Sequence, residues 1–248
     1  MIKCTNISVS FDKKILKDFS LTIKDGRICV IIGPNGSGKT TLIKAISKQI
    51  SFTGNIEIDN QNINLLKHKE LAKMLSVMPQ RLPEPNGITV QEIISFARTP
   101  YTPFNAKLSI DDKKIIEESI NYLSINHLKN KYIRELSGGE KQKVFFAMTI
   151  AQDTNNIILD EATSNLDISN KSILFDFITK LKKQGKTVLL ILHDINDAIK
   201  IADDICLLIN GDNKFHGSKK EFIDNEIAEK YFNLERINYQ NKIFFSTK

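Results

Sequence analysis

Residues 33–40 read Gly-Pro-Asn-Gly-Ser-Gly-Lys-Thr and lie between an apolar run at 28–32 and a helix-like stretch at 41–50. A strand, a glycine-rich loop and a helix start in this order predict a phosphate-binding loop, because glycines let backbone N–H groups turn inward and the helix N-terminus adds about half a positive charge. Lys39 can reach the β- and γ-phosphates of a nucleotide, and the Thr40 hydroxyl can bind Mg²⁺. The flanking segments argue against a glycine-rich turn without a ligand. The residues predicted to contact the nucleotide are Gly33, Pro34, Asn35, Gly36, Ser37, Gly38, Lys39, Thr40 and Thr41.

The composition limits the class of protein. A chain of 248 residues can bury a full α/β core. The net charge is +6, but Lys and Arg are spread along the whole length, which favours a solvated surface over a nucleic-acid site. The three cysteines lack close spacing and indicate a reducing compartment. No apolar run approaches the ~18 residues that cross a bilayer, and no leader pattern opens the chain, so we expect any membrane role to come through a partner.

Hydrophobic periodicity predicts the order of the elements. Short β-like segments over 1–24 predict antiparallel strands ahead of the loop, and a segment rich in Pro and Gly at 81–87 predicts a lobe boundary. Strands and helices alternate after residue 140, which predicts a parallel sheet covered by helices, with functional residues beyond the carboxyl ends of its strands. The tail at 219–248 carries no chemical signature. The other predicted segments are strands at 53–58, 76–80, 157–160, 187–192 and 205–209, and helices at 67–75, 90–97, 115–123, 140–152, 169–183 and 195–202.

Two carboxylates and a histidine follow predicted buried strands. Asp160 and Glu161 come directly after the apolar run 157–159, where a protein with this phosphate loop needs an Asp to hold Mg²⁺. Adjacent strand residues point to opposite sides, so we assign Asp160 to the metal and Glu161 to the attacking water as general base. His193 follows the next apolar strand and is predicted to contact the γ-phosphate. An acidic turn and a structural histidine are the alternatives if these residues are taken singly.

With these residues in place, the sequence resembles the ABC transporter ATPase family. The decisive match is Leu-Ser-Gly-Gly-Glu at 136–140, about twenty residues before Asp160. In the family this signature presses onto the γ-phosphate of ATP held by the other subunit, which assigns that contact to Ser137, Gly138 and Gly139. As a bare pattern it would be a turn and a helix N-cap.

The resemblance implies further site residues along about 1–217. Gln80 matches the family's Q-loop glutamine, which contacts the metal site, and Asp167 lies in the stretch Asn-Leu-Asp that matches its D-loop. His193 matches the switch histidine, and Phe11 falls where the family places an aromatic side chain against adenine, with core packing as the alternative for that residue. Two positions depart from the family pattern, Ala162 in place of Pro and Glu140 in place of Gln, and neither removes a proposed phosphate, metal or base group.

The resemblance also implies a fold and a function. We expect an α/β P-loop NTPase of one domain over 1–248, with a mixed, mostly parallel sheet, an N-terminal antiparallel β subdomain and an inserted helical subdomain at about 86–153. It would hydrolyse ATP with Mg²⁺ as a homodimer on the cytoplasmic face of the membrane, bound to permease subunits and indirectly served by an extracytoplasmic solute-binding protein, with no nucleic acid involved.

Two stretches resemble importers of iron-siderophore, haem and vitamin B12 type. They are Ala-Arg-Thr-Pro-Tyr at 97–101 and the segment at 147–154. They favour a ferric-siderophore importer, although a helix end at Pro100 would explain the first without any such role. Import of haem, cobalamin or a metal ion, a pure regulatory binding module, and a soluble ABC ATPase acting on nucleic acid or ribosomes remain as alternatives.

Overall fold

The computed structural model describes residues 1–80, 82–103, 106–160, 168–240 and 242–247, with the backbone alone at 168–170 and 242. An antiparallel sheet is formed at the N-terminus, in the order β2-β1-β4-β5. Residues of alternating polarity form its strands, so Ile7 and Val9 face the core while Ser8 and Ser10 do not. The strands are β1 (Ile2–Ser10), β2 (Lys14–Ile23), β4 (Thr53–Ile58) and β5 (Gln61–Asn62).

A second sheet contains six strands within the described residues, in the order β10-β9-β3-β8-β7-β6. The pairs from β9 to β6 are parallel, and β10 adds an antiparallel edge. The middle strands are buried on both faces and apolar except for Thr187, which is the pattern typical of parallel sheets. The strands are β3 (Ile28–Ile32), β6 (Leu75–Met78), β7 (Asn156–Leu159), β8 (Thr187–Ile191), β9 (Asp204–Ile209) and β10 (Asp212–Ser218).

Helices connect the strands of the second sheet. Capping boxes begin the three helices between β6 and β7, at Thr89, Ser109 and Ser137, where each hydroxyl accepts from the N–H three residues later. Between β6 and β7 lies a helical lobe of α3 (Val90–Ser95), α4 (Ile110–Tyr122) and α5 (Gly138–Ala151). The remaining helices are α1 (Lys39–Ile46), α2 (His68–Leu71), α6 (Ile168–Lys183) and α7 (Ile195–Ile201), followed by α8 (Lys219–Asp224) and α9 (Ile227–Phe232).

The predicted fold class is confirmed, and the C-terminal ends of two predicted helices are wrong. The helix predicted over 67–75 ends at Leu71, because Leu75 already belongs to the buried strand β6. Helix α1 stops at Ile46, where the Ser47 hydroxyl donates to the Ile43 carbonyl and Lys48 takes a positive φ of 58°. The tail without a signature forms α8, α9 and a hairpin of β11 (Leu234–Tyr239) and β12 (Lys242–Thr247).

The three cysteines are buried in the core. Burial raises the pKa of the Cys4 thiol to about 12 and raises the pKa values of Cys29 and Cys206 as well. The three side chains pack as small apolar groups between the two sheets and α1. Among the described residues, no helix combines the length and the apolar character needed to cross a membrane.

Candidate nucleotide-binding and hydrolysis site

Four neighbouring parallel strands end at one edge of the second sheet. The phosphate loop follows β3, His193 follows β8, Asp160 follows β7, and Gln80 comes two residues after β6. Neighbouring strands lie about 4.8 Å apart, so the four strand ends fall within roughly 14 Å along this edge. The register aligns them, with Ile31 opposite Ile191, Leu159 opposite Leu190, and Met78 opposite Leu159. The sheet therefore brings together residues that are far apart in the sequence.

The phosphate loop is tightly folded onto its own lysine. Lys39 is 5% exposed, and its ammonium donates to the carbonyl oxygens of Gly33 and Pro34 at 2.8 and 2.9 Å. Gly33 packs directly on β9, since a β-carbon there would lie 2.0 Å from the Leu208 carbonyl oxygen. Gly38 ends the loop with a φ of 106° and begins α1. The loop thus presents the N-terminus of α1, with the ammonium of Lys39 beside it.

A second turn supports the loop, and sequence reasoning missed its role. The N–H of Gly211, between β9 and β10, donates to the Ser37 carbonyl at 3.0 Å, and its own carbonyl accepts from Lys17 N–H at 3.0 Å. A β-carbon on Gly211 would lie 2.1 Å from the Ile15 carbonyl oxygen. The Asn-Gly pair at 210–211 by itself predicts a turn, but nothing in the neighbouring sequence indicates that this turn lies against the phosphate loop.

Phe11 lies in the turn between β1 and β2. Its side chain is 64% exposed, so the alternative of core packing is wrong. The start of β2 reaches the phosphate loop, since a β-carbon on Gly38 would lie 2.9 Å from Leu16 Cδ2. Leu16 pairs with Val9, two residues before Phe11. The exposed ring is therefore carried by the end of the hairpin that packs on the loop.

The remaining residues of this edge differ in exposure. Asp160 is 5% exposed, and its N–H donates to the Met78 carbonyl at 3.0 Å, while Gln80 and His193 are exposed. Thr40, Gln80 and Asp160 offer the hydroxyl, amide and carboxylate oxygens that Mg²⁺ accepts, so the donor set fits that ion. Glu161 and Asp167 lie outside the described residues, and their predicted roles stay predictions.

The signature segment begins helix α5 with an exposed N-terminus. Ser137 Oγ accepts from Glu140 N–H at 3.3 Å, and the Glu140 carboxylate accepts from Ser137 N–H and Oγ–H, both at 2.8 Å. These hydrogen bonds lower the pKa of Glu140. Ser137 and Gly138 are exposed, and a β-carbon on Gly138 would meet nothing within 4 Å. The acid at position 140 is thus the third helical residue of a capping box.

Comparison with known families decides which class this site belongs to. The family described as ABC transporter matches residues 16–164, which covers more than half of the chain. This chain belongs to the ABC transporter family. The resemblance that the sequence predicted is confirmed, and the chain is an ATP-binding cassette ATPase.

Individual relatives of this ABC ATPase cover most of its length. The petrobactin import ATP-binding protein YclP of Bacillus subtilis (strain 168) is 35% identical over 94% of this chain and 93% of its own. The ferric enterobactin transport ATP-binding protein FepC of Escherichia coli (strain K12) is 32% identical over 89% of this chain and 82% of its own. Among solved structures, the dimeric post-hydrolysis state of the ATP-binding cassette MJ0796 bound to ADP and Pi has a TM-score of 0.76 at 27% identity, over 88% of this chain and 99% of that chain.

The two importer-like stretches of this ABC ATPase contact each other inside the helical lobe. Arg98 is buried, pairs with Asp112 at 2.7 Å, and donates to the Ala151 carbonyl at 2.9 Å. Burial alone would raise the pKa of Asp112, but the hydrogen bonds from Ser109 and Arg98 outweigh it and lower that pKa. The Arg98 guanidinium stacks on the Tyr101 ring at 3.9 Å.

The same network continues to the strand that leads into Gln80. The Tyr101 hydroxyl donates to the Gln152 carbonyl at 2.9 Å. The Gln152 side-chain amide donates to the carbonyls of Ala72 and Leu75, at 2.7 and 3.1 Å. The stretch at 97–101 thus joins the C-terminal end of the signature helix α5 to the first residue of β6, and it is not a surface motif.

Proposed function

We propose that this ABC ATPase powers an importer of ferric siderophores. The observation that carries the proposal is the identity of 35% and 32% over most of the chain to relatives named for petrobactin import and ferric enterobactin transport. Import of haem, cobalamin or a metal ion remains as an outcome of the test.

The proposed chemistry is positioning and charge neutralisation of a phosphoryl group. Lys39 and the loop N–H groups bind the β- and γ-phosphates, and Phe11 stacks on the adenine. Glu161 accepts the proton of the attacking water, while His193 holds the γ-phosphate from the neighbouring strand. Thr40, Asp160 and Gln80 would hold Mg²⁺, which when bound neutralises charge on the phosphate oxygens.

We further propose that two copies form two composite sites. The exposed N-terminus of α5 offers Ser137 and the Gly138 and Gly139 amides to ATP bound by the other subunit, as a helix N-terminus binds an anion. Asp167 serves the same interface. Each chain is a single nucleotide-binding domain over 1–248, with a helical subdomain at about 86–153.

The partners follow from this assignment. The ATPase acts at the cytoplasmic face of the membrane as a peripheral subunit, against integral-membrane permease subunits and, through them, an extracytoplasmic solute-binding protein. The helical lobe supports this, because its polar network joins the signature helix to the strand that leads to Gln80. Such a connection can couple the binding of the γ-phosphate to the conformation of the permease.

The first test is uptake. Deleting the gene should abolish uptake of a labelled ferric siderophore, and a Glu161→Gln gene should fail to restore it. Purified Glu161→Gln protein should bind ATP normally and hydrolyse it about 10²- to 10⁴-fold more slowly, because the amide cannot accept the proton of the water. The matched control is Glu235→Gln on the exposed C-terminal hairpin, which should behave as wild type.

The outcomes separate the two parts of the proposal. Persisting siderophore uptake with lost import of haem, cobalamin or another solute would contradict the substrate alone. Near-normal steady-state hydrolysis by Glu161→Gln would contradict the assignment of the base.

A further inference from the structure

The C-terminal hairpin of β11 and β12 is hydrogen-bonded to helix α7 through the side chain of Asn196. The side-chain oxygen Oδ1 of Asn196 accepts from Phe245 N–H at 2.8 Å, and the side-chain Nδ2 of Asn196 donates to the Phe245 backbone carbonyl at 3.0 Å. Asn196 therefore pairs with both backbone groups of a strand residue, as a neighbouring strand would. Phe245 is 7% exposed and belongs to the same apolar core as Ile195 and Ala198 of α7.

Helix α7 begins directly after His193. Asp194 is its N-cap, and one of its carboxylate oxygens accepts from the N–H groups of Asn196 and Asp197 at 2.7 and 3.2 Å. His193 is thus joined to Asn196 through the single capped turn that begins the helix. A shift of this turn must move the backbone of His193 with it.

The first turn of α7 is held from a second side. Lys171 of α6 forms an ion pair with Asp197 at 2.8 Å, and the hydrogen bond to Asp197 raises the pKa of Lys171. The hairpin and α6 therefore hold the turn between them. Ion pairs of this exposure contribute little to stability, whereas the two hydrogen bonds of the Asn196 side chain to the backbone of Phe245 fix the orientation of the turn relative to the hairpin.

We infer that the C-terminal hairpin is a positioning element for His193 and that it acts through Asn196. The inference rests on the proposed role of His193 at the γ-phosphate. It gives a function to residues 234–247, which lie beyond the 16–164 matched by the family. Without the Asn196 pairing, the capped turn would sample more orientations, and His193 would be correctly placed in a smaller fraction of the molecules.

The test is steady-state ATP hydrolysis by the full chain. Asn196→Ala should lower kcat roughly three- to tenfold, because His193 is correctly placed in a smaller fraction of the molecules, with KM for ATP within about twofold of wild type. Asn238→Ala is the matched control, because it also removes an asparagine side-chain amide, but from an exposed position on the C-terminal hairpin. Its kcat should not change.

A double-mutant cycle distinguishes positioning from general damage. In a His193→Ala background the Asn196→Ala change should cause no further loss, because its target is already absent. Hydrogen exchange of the 194–200 amides should become faster in Asn196→Ala while α4 and α5 keep their rates. Should Asn196→Ala fold poorly, Ile243→Ala is a second variant that loosens the hairpin and leaves the polar contacts of α7 in place. It should lower kcat by the same factor, and it should cause no further loss in the His193→Ala background.

Two kinds of result would contradict the inference about the hairpin, and a third would contradict the role of His193. An unchanged kcat in Asn196→Ala, or the same fold loss in both backgrounds, would overturn the role of the hairpin. Wild-type hydrolysis by His193→Ala alone would instead overturn the proposed role of His193.

Discussion

Gly211 shows how one residue outside the phosphate loop can set the loop's geometry. Its φ is +82°, and a β-carbon would lie 2.1 Å from the Ile15 carbonyl oxygen. Gly211→Ala should therefore displace the turn, weaken its hydrogen bond to Ser37, and raise KM for ATP several-fold. We also expect a loss of more than about 1 kcal/mol in the free energy of unfolding, since the left-handed backbone is strained for alanine.

Gly185 provides the matched control for this prediction. Its φ is +75°, but a β-carbon there would meet nothing within 4 Å. Gly185→Ala should lose about 1 to 2 kcal/mol of stability from backbone strain and keep the wild-type KM. Urea unfolding and ATP titration measure the two quantities, and equal KM values for both variants would contradict the proposed support of the loop.

The role of Lys39 could be predicted from the sequence, whereas the role of Gly211 could not. The phosphate loop is recognisable because glycine, lysine and threonine must follow one another within eight positions. The roles of Gly211 and Asn196 are invisible, because their partners, Ser37 and Phe245, are far away in the chain and take part through backbone atoms. Any residue type except proline, which lacks the N–H that Phe245 donates, would offer the same backbone groups at those partner positions.

At the scale of elements, the buried ion pair of Arg98 with Asp112 is expected to hold the helical lobe together. Both side chains are at most 10% exposed. Arg98→Met should cost about 3 to 5 kcal/mol in the free energy of unfolding, because it leaves the Asp112 carboxylate buried without its cation. Tyr101→Phe keeps the stacked ring and loses one hydrogen bond to Gln152, so it should cost only about 1 kcal/mol.

Lys114→Met is the control for removal of a cation from the same lobe. Lys114 pairs with Glu118 across 3.9 Å on the exposed face of α4, so its loss should cost under about 0.5 kcal/mol. Urea unfolding of the three variants gives the comparison. A loss for Arg98→Met as small as that for Lys114→Met would show that the lobe does not depend on the buried pair.

Elements with a strong local pattern were predicted well, and those that depend on tertiary contacts were not. The strands β3 and β4 have the predicted boundaries, because apolar runs or alternation end at turn residues. The helix predicted at 67–75 shortened because β6 takes Leu75 into the sheet beside β7. The C-terminal hairpin is stabilised by α7 and the core, and its outward face exposes Ile237, Tyr239 and Phe244, so its sequence gives no clean alternation.

For the whole molecule, the proposed composite sites predict complementation between two inactive variants. Lys39→Ala should weaken ATP binding, and Ser137→Arg should leave single-subunit binding intact while abolishing hydrolysis. Each homodimer should be inactive, but a mixed dimer keeps one undamaged site. Mixing should therefore recover up to about a quarter of wild-type activity, since half of the dimers are mixed and each has one intact site.

Ser218→Arg controls for damage to a helix cap. Ser218 begins α8 with the same capping box, in which the Glu221 carboxylate accepts from Ser218 N–H and Oγ–H, both at 2.7 Å. Both substitutions should lose about 1 kcal/mol of stability, yet only Ser137→Arg should stop hydrolysis. Full activity of Ser137→Arg alone would show that each subunit works by itself.

The low reactivity of the three buried thiols allows a label to be attached elsewhere on the otherwise native protein. With a pKa of about 12, Cys4 has a thiolate fraction near 10⁻⁵ at pH 7, and Cys29 and Cys206 are likewise buried with raised pKa values. A cysteine introduced at Phe11 or Gly138, both exposed, would then be the fast-reacting thiol of the chain. Maleimide labels can report distances between two subunits with all three native cysteines in place, so the core keeps the side chains that fill it.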